Sequence, residues 1–347
     1  MTHPLLSAQT GQKALLLGNE AIARGALEAG VAFASAYPGT PSSEIALQFF
    51  QIARETDLYF EYSANEKVSL EVAAGAAMCG LRAIVSMKHV GLNVASDALM
   101  TLAYTGIPGA LVVAVADDPF MYSSQNEQDS RYYAKLASLP VLEPSSVAEA
   151  KDMARYAFDL SEMLKLPVIL RTTTRINHAS GVVEFGHLRA RNTAGSFQKA
   201  PFSYVCIPSV SRTLHPLLLK RMAQAENIAE ESRWNIIEGE GPWGVACNGA
   251  SYWYVSDAIA EGGFKNRFRI LRLGMSYPIS EKRVLQFLSG LEKVLVVEEG
   301  EPFMEEAIRC VAQQAGLTTP IAGKRTDLFS RLYEFDPAIV KNALNHY

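Results

Sequence analysis

Polar side chains that can bind a ligand or carry a proton follow five of the short apolar runs in the first half of the chain. They supply hydroxyls, carboxylates, an amine and an imidazole. In an open parallel sheet, ligands bind in the crevice beyond the carboxyl ends of the strands. We therefore predict one binding edge, for a ligand that these residues alone do not specify, formed by Thr40, Asn65, Glu66, Lys88, His89, Asp117, Asp118 and Arg171.

Each of these residues also has a purely structural interpretation. Thr40 could cap the helix that follows it, because a hydroxyl accepts hydrogen bonds from N–H groups of the first turn. Glu66 could complement the positive end of its helix, and His89 could be a hydrogen-bonded loop histidine. The Asp-Asp-Pro sequence at 117–119 is typical of a turn. The polar loop 123–129 could be merely solvated or could act as a lid.

The elements that must position these residues alternate between strands and helices from about residue 13 to 171. This alternation predicts a parallel sheet that is covered by helices on both faces, which is an α/β fold. The predicted strands are LEAGVAFASAYP, LYFEYS, LRAIVSM, GALVVAVA and LPVIL. One helix is predicted to begin at Pro41, and three further helices are predicted to cover 65–80, 92–104 and 146–164.

The alternation stops in a polar stretch after residue 171 and resumes near residue 241. We predict a first domain over 13–175 and a linker over 176–230, with an extended hairpin and a connecting helix. A second, smaller doubly wound domain is predicted over 231–345. Its predicted strands are GVACNG, FRILRLG and KVLVVEEG, with helices near 250–260, 280–289 and 302–315.

The composition is that of a globular protein, with 49% hydrophobic and 20% charged residues. The net charge of −4 comes from 36 acidic and 32 basic residues without a basic stripe, which argues against nucleic-acid binding. No apolar stretch reaches the roughly 18 residues of a membrane span, and the N-terminus lacks the pattern of a signal peptide. We therefore expect a cytoplasmic protein that does not bind a membrane.

Several common cofactor and nucleophile motifs are absent from the sequence. The chain has neither a P-loop nor a G-x-G-x-x-G sequence after a strand, and it has no G-x-S-x-G elbow. The binding edge thus has no local anchor for a phosphate. No zinc or iron–sulfur spacing is present either, because the four cysteines lie far apart, at Cys79, Cys206, Cys247 and Cys310.

A specific combination of motifs extends over both predicted domains. The segments are AYPGTPSSEI (36–45), ANEKVSLEVAAGAAMCG (64–80), MKHVGLNVASD (87–97), ADDPFMYSSQNEQDSRYYA (116–134), LPVILRTTTR (166–175), GVACNGASYWYV (244–255), LRLGMSYPIS (271–280) and VLVVEEGEPFMEE (294–306). In this combination the chain resembles the alpha subunits of indolepyruvate ferredoxin oxidoreductases, which are 2-oxoacid:ferredoxin oxidoreductases. The resemblance covers most of residues 13–345.

The resemblance implies thiamine-diphosphate chemistry in a pyrimidine-binding domain, followed by a transketolase C-terminal-like domain. The family glutamate that binds N1′ of the aminopyrimidine falls on Glu66, where its hydrogen bond helps the exocyclic nitrogen take the proton from C2 of the thiazolium. His89 is implied as a proton carrier or a carboxylate contact. The implied cofactor contacts are Gly39, Thr40, Glu66, Lys88 and Gly91, and the implied substrate contacts are Thr40, His89, Asp117, Asp118, Gln125 and Asn126.

The chain departs from the family pattern at its carboxyl end. Alpha subunits of this family continue into a second thiamine domain with a G-D-x…N motif, and then into a ferredoxin-like domain with two sets of cysteines. This sequence ends at Tyr347 and has no Gly-Asp dipeptide. The resemblance therefore implies that thiamine diphosphate is shared with a partner chain. Mg²⁺, the diphosphate site and the iron–sulfur clusters would lie on other chains or in sequence outside this one.

The reaction implied by the resemblance is the oxidative decarboxylation of arylpyruvates such as indolepyruvate to acyl-CoA. Coenzyme A would be the co-substrate and ferredoxin the electron acceptor. The implied partners are a subunit that binds diphosphate and Mg²⁺, a gamma or beta subunit, and a second copy of this chain within a hetero-oligomer. Two alternatives stay open: a non-catalytic scaffold or regulatory partner of a thiamine enzyme, and a non-oxidative thiamine-dependent decarboxylase.

Overall fold

The computed structural model describes residues 3–264 and 266–346 of the chain. Within them, the strands in chain order are β1 (Lys13–Leu17), β2 (Phe33–Ala36), β3 (Tyr59–Tyr62), β4 (Arg82–Lys88), β5 (Ala110–Asp117), β6 (Val141–Leu142), β7 (Val168–Thr173), β8 (Ser180–Glu184), β9 (Asn235–Glu238), β10 (Trp243–Cys247), β11 (Phe268–Leu273), β12 (Met275–Tyr277), β13 (Lys293–Val297) and β14 (Ile321–Ala322). The helices are α1 (Gly18–Glu28), α2 (Ser43–Ile52), α3 (Glu66–Met78), α4 (His89–Thr105), α5 (Arg131–Ala137), α6 (Val147–Leu164), α7 (Thr174–His178), α8 (Pro201–Tyr204), α9 (Pro208–Glu231), α10 (Ser251–Glu261), α11 (Glu281–Leu288), α12 (Phe303–Gln314) and α13 (Pro337–His346).

The larger sheet has its strands in the order β12, β6, β7, β5, β4, β2, β3. Every residue of β5 and β7 is buried, because helices cover both faces and each strand must be apolar on both sides. All neighbours from β6 to β3 pair in parallel. The carboxyl ends of these strands therefore lie at one edge, which is the edge that the sequence predicts for ligand binding.

The second unit has its own sheet, in the order β14, β13, β10, β11, β9. The strands from β14 to β11 pair in parallel, and β9 is an antiparallel edge strand. Each face of this sheet has a separate apolar core. The predicted α/β fold with two doubly wound sheets is confirmed. Among the helices of the described residues, none combines the length and the apolar character needed to cross a bilayer.

The turn after β2 differs from its prediction. The sequence predicts that the helix begins at Pro41, with capping by Thr40 as one interpretation, but α2 begins at Ser43. Ser42 closes a tight turn before it, because its N–H and its hydroxyl both donate to the carbonyl oxygen of Gly39, at 2.9 and 2.8 Å. Thr40 therefore lies inside a turn and caps no helix.

The position of His89 is a second correction. The sequence suggested a loop before a helix at 92–104, whereas α4 begins at His89 itself. Strand β4 ends at Lys88, which is also the N-cap position, so the chain passes from strand to helix without a loop. His89 and Gly91 thus both belong to the first turn of α4.

The polar stretch after β7 contains pairing that local patterns did not reveal. The predicted extended hairpin is wrong, because β8 pairs antiparallel with β1 and not with a neighbouring strand. Strand β12, from the second unit, pairs with β6 and so extends the first sheet. Both pairings join segments more than 100 residues apart, and no short-range pattern reports them. The proposed domain boundaries stay a prediction.

Candidate functional site

Glu66 occupies the first position of α3, at the binding edge. The side chain of Asn65 fixes this helix start by accepting a 3.0 Å hydrogen bond from the N–H of Val68. Glu66 is only 9% exposed, and the first turn of α4 lies directly against its carboxyl group. A Cβ atom on Gly91 would be 2.5 Å from Oε1 of Glu66, so only a glycine allows this contact.

The carboxyl group of Glu66 has no hydrogen-bond partner among the described residues. Its oxygen atoms are not among the fully buried side-chain atoms that lack a partner, so they keep contact with solvent although most of the side chain is buried. An unsatisfied carboxyl at the carboxyl edge of a parallel sheet is therefore available to a ligand that donates a hydrogen bond.

Lys88 and Gly39 lie beside each other next to Glu66. A Cβ atom on Gly39 would be 2.8 Å from Cδ of Lys88, so the glycine lets the turn after β2 pack on the lysine stem. The ammonium group donates a 2.9 Å hydrogen bond to the carbonyl oxygen of Ser123. Burial lowers the pKa of Lys88, while the charges of Asp118 and Glu66 partly restore it.

His89 is 1% exposed, and its ring reaches the loop that follows β5. Its Nε2 atom lies 3.0 Å from the carbonyl oxygen of Asn126, which can only accept, so this nitrogen carries the proton. The Nδ1 atom is buried and has no partner among the described residues. His89 thus presents an unused hydrogen-bond acceptor, which is the second unsatisfied polar group of this edge.

Thr40 is exposed, and its carbonyl oxygen accepts a 3.0 Å hydrogen bond from the hydroxyl of Ser123. Since Lys88 also binds Ser123, this serine connects the turn after β2 to the end of β4. Thr40 lines an open cavity of about 560 Å³ together with Asp118, Tyr122 and other residues. This volume lies in the range of small-molecule sites in proteins.

Asp118 forms part of the floor of the same cavity. Its carboxylate accepts hydrogen bonds from the hydroxyl of Ser124 at 2.7 Å, the N–H of Ser123 at 2.9 Å and the hydroxyl of Thr174 at 2.9 Å. Burial would raise the pKa of Asp118, but these hydrogen bonds outweigh burial and lower it. Asp118 is therefore an ionised group that orders the loop around it.

Asp117, in contrast, lies inside the protein with no exposed surface. Its carboxylate accepts from Nε of Arg171 at 2.6 Å and from the N–H of Ser130 at 3.1 Å. Arg171 also donates to Glu143 at 2.5 Å, so it pairs with buried acids and not with a surface acid. The predicted substrate contact of Asp117 would require this network to open.

The loop that was expected to shape the substrate pocket makes contacts of two kinds. Gln125 is exposed to solvent, whereas Asn126 is half-buried and contacts His89 through its backbone. The side-chain oxygen atoms of Asn126 and Gln128 are buried and lack partners within the described part of the chain. The loop is therefore attached to the site by its serine hydroxyls and its main chain, while the side-chain oxygens of Asn126 and Gln128 stay without a partner in the described part of the chain.

The family model "Pyruvate flavodoxin/ferredoxin oxidoreductase, thiamine diP-bdg" matches residues 24–213, more than half of the chain. The chain belongs to this family. The match contains every residue described so far in this section, and it ends within α9.

Curated relatives of this pyruvate flavodoxin/ferredoxin oxidoreductase family member include indolepyruvate oxidoreductase subunits IorA. That of Methanothermobacter thermautotrophicus is 46% identical over 98% of this chain and 55% of its own length. That of Thermococcus kodakarensis is 48% identical over 96% of this chain and 52% of its own length. The 2-oxoglutarate synthase subunit KorA of Archaeoglobus fulgidus is 25% identical over 82% of this chain and 87% of its own length. The chain thus spans about half the length of the IorA relatives.

Two solved structures support the fold of this family member. A 2-oxoglutarate:ferredoxin oxidoreductase from Magnetococcus marinus, with 2-oxoglutarate, coenzyme A and succinyl-CoA bound, superposes with a TM-score of 0.78 at 16% identity, over 96% of this chain and 65% of the other. An inactive tetramer of a split-gene transketolase superposes with a TM-score of 0.62 at 13% identity, over 95% and 97%. At these identities the likeness shows the fold alone.

The structure also contains a cluster of buried charges that sequence reasoning missed as a cluster, mostly within the region that the family model matches. We call it the buried ion cluster, and it consists of Asp117, Asp129, Arg131, Glu143, Arg171 and Glu298. Arg131 donates to Asp129 at 2.8 Å and to Glu298 at 2.7 Å, which joins the loop after β5 to the end of β13. Burial opposes ionisation of Asp129, but Arg131 and Arg171 hold its pKa well below the usual range.

A second missed contact lies at the mouth of the cavity beside Thr40. Arg175 donates a 2.9 Å hydrogen bond to Glu334, which also accepts from the hydroxyl of Tyr122. Arg175 and Glu334 are 159 positions apart. Arg175 ends one of the motifs named above, but no sequence motif around Glu334 predicts that it contacts Arg175.

Proposed function

We propose that this chain forms the pyrimidine-side half of a thiamine-diphosphate site in an enzyme that oxidatively decarboxylates 2-oxoacids. We propose arylpyruvates such as indolepyruvate as substrates, acyl-CoA as the product and ferredoxin as the electron acceptor. The observation that carries the proposal is the carboxyl group of Glu66, which lies at the binding edge on a mostly buried side chain, accepts no hydrogen bond from a described residue and falls within the region matched by a thiamine-binding family model. The names of the IorA relatives support the choice of substrate.

The residues of the edge fit the aminopyrimidine of thiamine diphosphate. N1′ of this ring pairs with a carboxylic acid, and Glu66 has a carboxyl group with no other partner among the described residues. The backbone of Gly91 keeps that group uncovered by a side chain. When bound, thiamine diphosphate supplies the carbon that attacks a 2-oxo group and stabilises the charge left by decarboxylation. Glu66 would hold the proton at N1′.

The other residues of the edge would act on the substrate. Thr40 would bind it from the cavity wall, with a hydroxyl that caps no helix. Nδ1 of His89 has no partner among the described residues, and it would accept a proton or a hydrogen bond. It is free to accept because the other ring nitrogen, Nε2, carries the proton that is donated to Asn126. The ammonium group of Lys88 adds positive charge that favours a carboxylate. Gln125 and Asn126 would border the pocket from the loop.

We further propose that the site is completed by residues outside this sequence. The chain spans 55% and 52% of the two IorA relatives above, so a region of comparable length is available to carry the diphosphate and Mg²⁺ site and the iron–sulfur clusters. That region would lie on a partner chain or in sequence outside this one, and a second copy of this chain would join the same hetero-oligomer. Coenzyme A would be the co-substrate. A cytoplasmic location stays a prediction from sequence.

The test is Glu66→Gln in a complex reconstituted with a chain that carries the diphosphate site. Glutamine keeps the size of the side chain but removes the acidic proton, so coenzyme A-dependent reduction of a low-potential dye by indolepyruvate should fall about 100-fold or more. Far-UV circular dichroism should not change. Glu71→Gln is the matched control, because Glu71 lies on the same helix with a side chain 51% exposed, and it should retain full activity.

Three outcomes separate the proposal from its alternatives. Full activity of Glu66→Gln would refute the role of Glu66. A complex that turns over no 2-oxoacid, with or without the substitution, would favour a scaffold or regulatory subunit. Aldehyde formation without coenzyme A and without dye reduction would identify a non-oxidative decarboxylase.

A further inference from the structure

Three aromatic side chains form a surface at the mouth of the cavity beside Thr40. We call them the aromatic rim: Phe120, Tyr122 and Tyr333 are 47%, 58% and 46% exposed. The ring centroid of Phe120 lies 5.1 Å from that of Tyr122 and 4.8 Å from that of Tyr333. Exposed aromatic residues in contact with each other are frequent at binding sites, because a bound ligand removes their apolar surface from water.

The backbone holds these rings in an uncommon conformation. Phe120 and Tyr333 have φ angles of 72° and 70°, in the left-handed region that bulky residues rarely adopt. One carboxylate, that of Glu127, accepts hydrogen bonds from the N–H of Phe120 at 2.7 Å and the N–H of Tyr333 at 3.1 Å. Residues held in sparsely populated conformations cluster at ligand sites, where the surrounding structure must fix them.

The rim is continuous with the cavity. Tyr122 belongs to both, because it contacts Phe120 and also lines the cavity with Thr40 and Asp118. The cavity is also lined by Arg175, which pairs with Glu334, and by His178, which lies 3.7 Å from Glu44. A flat apolar ring bound at the rim can therefore be joined to a part of the ligand that lies in the cavity.

The charges around the rim exclude one class of 2-oxoacid. Glu127 contacts the backbone of two rim residues, and Glu334 accepts from the hydroxyl of Tyr122. A second carboxylate on the substrate side chain would approach Glu127 and be repelled, because Glu127 accepts only from backbone N–H groups whereas Glu334 is paired with Arg175. An uncharged aromatic side chain would contact the ring faces of the aromatic rim and would not be repelled by the acids.

We propose that the aromatic rim binds the aromatic side chain of the substrate and selects it over aliphatic and acidic 2-oxoacids. The 2-oxoacid group then occupies the cavity beside Thr40. This inference rests on the proposed function, since it assigns the substrate specificity of that same site. Glu127 is the positioning residue, because it touches the backbone of the rim and not the substrate.

The test is the double variant Phe120→Leu, Tyr333→Leu in the reconstituted complex. Leucine keeps apolar volume but removes the ring faces, so the ratio of kcat/KM for indolepyruvate to kcat/KM for 2-oxobutyrate should fall about tenfold. Turnover of 2-oxobutyrate should persist, which shows that the variant is folded. Phe202→Leu is the control, because Phe202 is 83% exposed at a distant helix, and it should leave the ratio unchanged.

A binding measurement separates failure of this inference from failure of the proposed function. Indolepyruvate is titrated into the full chain and the heat of binding is measured by calorimetry; the double variant should bind about tenfold more weakly. If the wild type binds indolepyruvate but no complex turns it over, the proposed function falls and the rim assignment stands. An unchanged kcat/KM ratio would overturn the assignment. So would equal losses for both oxoacids with dissociation of the complex on size exclusion, which would make the rim a subunit interface.

Discussion

Two groups of buried charged residues lie at the carboxyl ends of the same parallel strands, yet they use their polar atoms differently. In the buried ion cluster, each carboxylate accepts a hydrogen bond from Arg131 or Arg171. At the binding edge, the carboxyl group of Glu66 and Nδ1 of His89 have no partner among the described residues.

The carboxylates of the two groups therefore differ in whether protein donors already occupy them. A buried acid that is fully paired contributes to the packing of the two units, and removing its partner leaves an uncompensated charge. A mostly buried acid whose oxygen atoms reach solvent and meet no protein donor remains free to bind a ligand. The first group should therefore control folding and the second should control activity.

The largest effect, a loss of stability, is expected from a substitution that breaks the buried ion cluster. Arg131→Ala leaves buried Glu298 without its cationic partner and leaves Asp129 with only Arg171, 3.7 Å away, so the free energy of unfolding should fall by about 3–5 kcal/mol. Urea unfolding followed by circular dichroism measures this change. Arg331→Ala is the control: its ion pair with Glu301 is exposed, and its loss should cost about 0–1 kcal/mol. Equal effects of both substitutions would show that the cluster does not join the two units.

The next largest effect is expected from a substitution at the binding edge, and it concerns activity rather than stability. In Gly91→Ala, the new Cβ would lie 2.5 Å from Oε1 of Glu66, so the carboxyl group must move. Activity of the reconstituted complex should fall about 100-fold, which is about 2.7 kcal/mol in the activation free energy. Stability should stay or rise, since alanine is favoured over glycine within a helix by about 1 kcal/mol.

Gly75→Ala provides the matched control for this substitution. Gly75 is also helical, in α3, and a Cβ there would meet no atom within 4 Å. It should gain stability and keep full activity. If Gly91→Ala were as active as Gly75→Ala, the position of the Glu66 carboxyl group would not matter for activity.

Short-range sequence patterns predicted most elements of the two sheets and the edge at which the ligand residues lie. They worked for β4, β5 and β7, because a strand covered on both faces must be apolar along its whole length. They failed for β8 and β12, whose pairing partners are far away in the chain. They also misplaced the start of α2, because Ser42 forms a turn with Gly39 that no propensity records.

The candidate site was predictable to a similar extent. Glu66 followed from the resemblance and from its place after a strand. Its contact with Gly91, and the pairing of Arg131 with Glu298 across 167 positions, depend on tertiary packing. The sequence placed Asp117 at the ligand edge because it ends a strand, but it could not report that Arg171 and Ser130 saturate its carboxylate.

The most direct test of the central claim is a crystal structure of the reconstituted complex with thiamine diphosphate. We predict an oxygen atom of the Glu66 carboxyl group at hydrogen-bond distance, about 2.6–3.0 Å, from N1′ of the aminopyrimidine. A pyrimidine ring bound by another residue, with Glu66 facing bulk water, would contradict it.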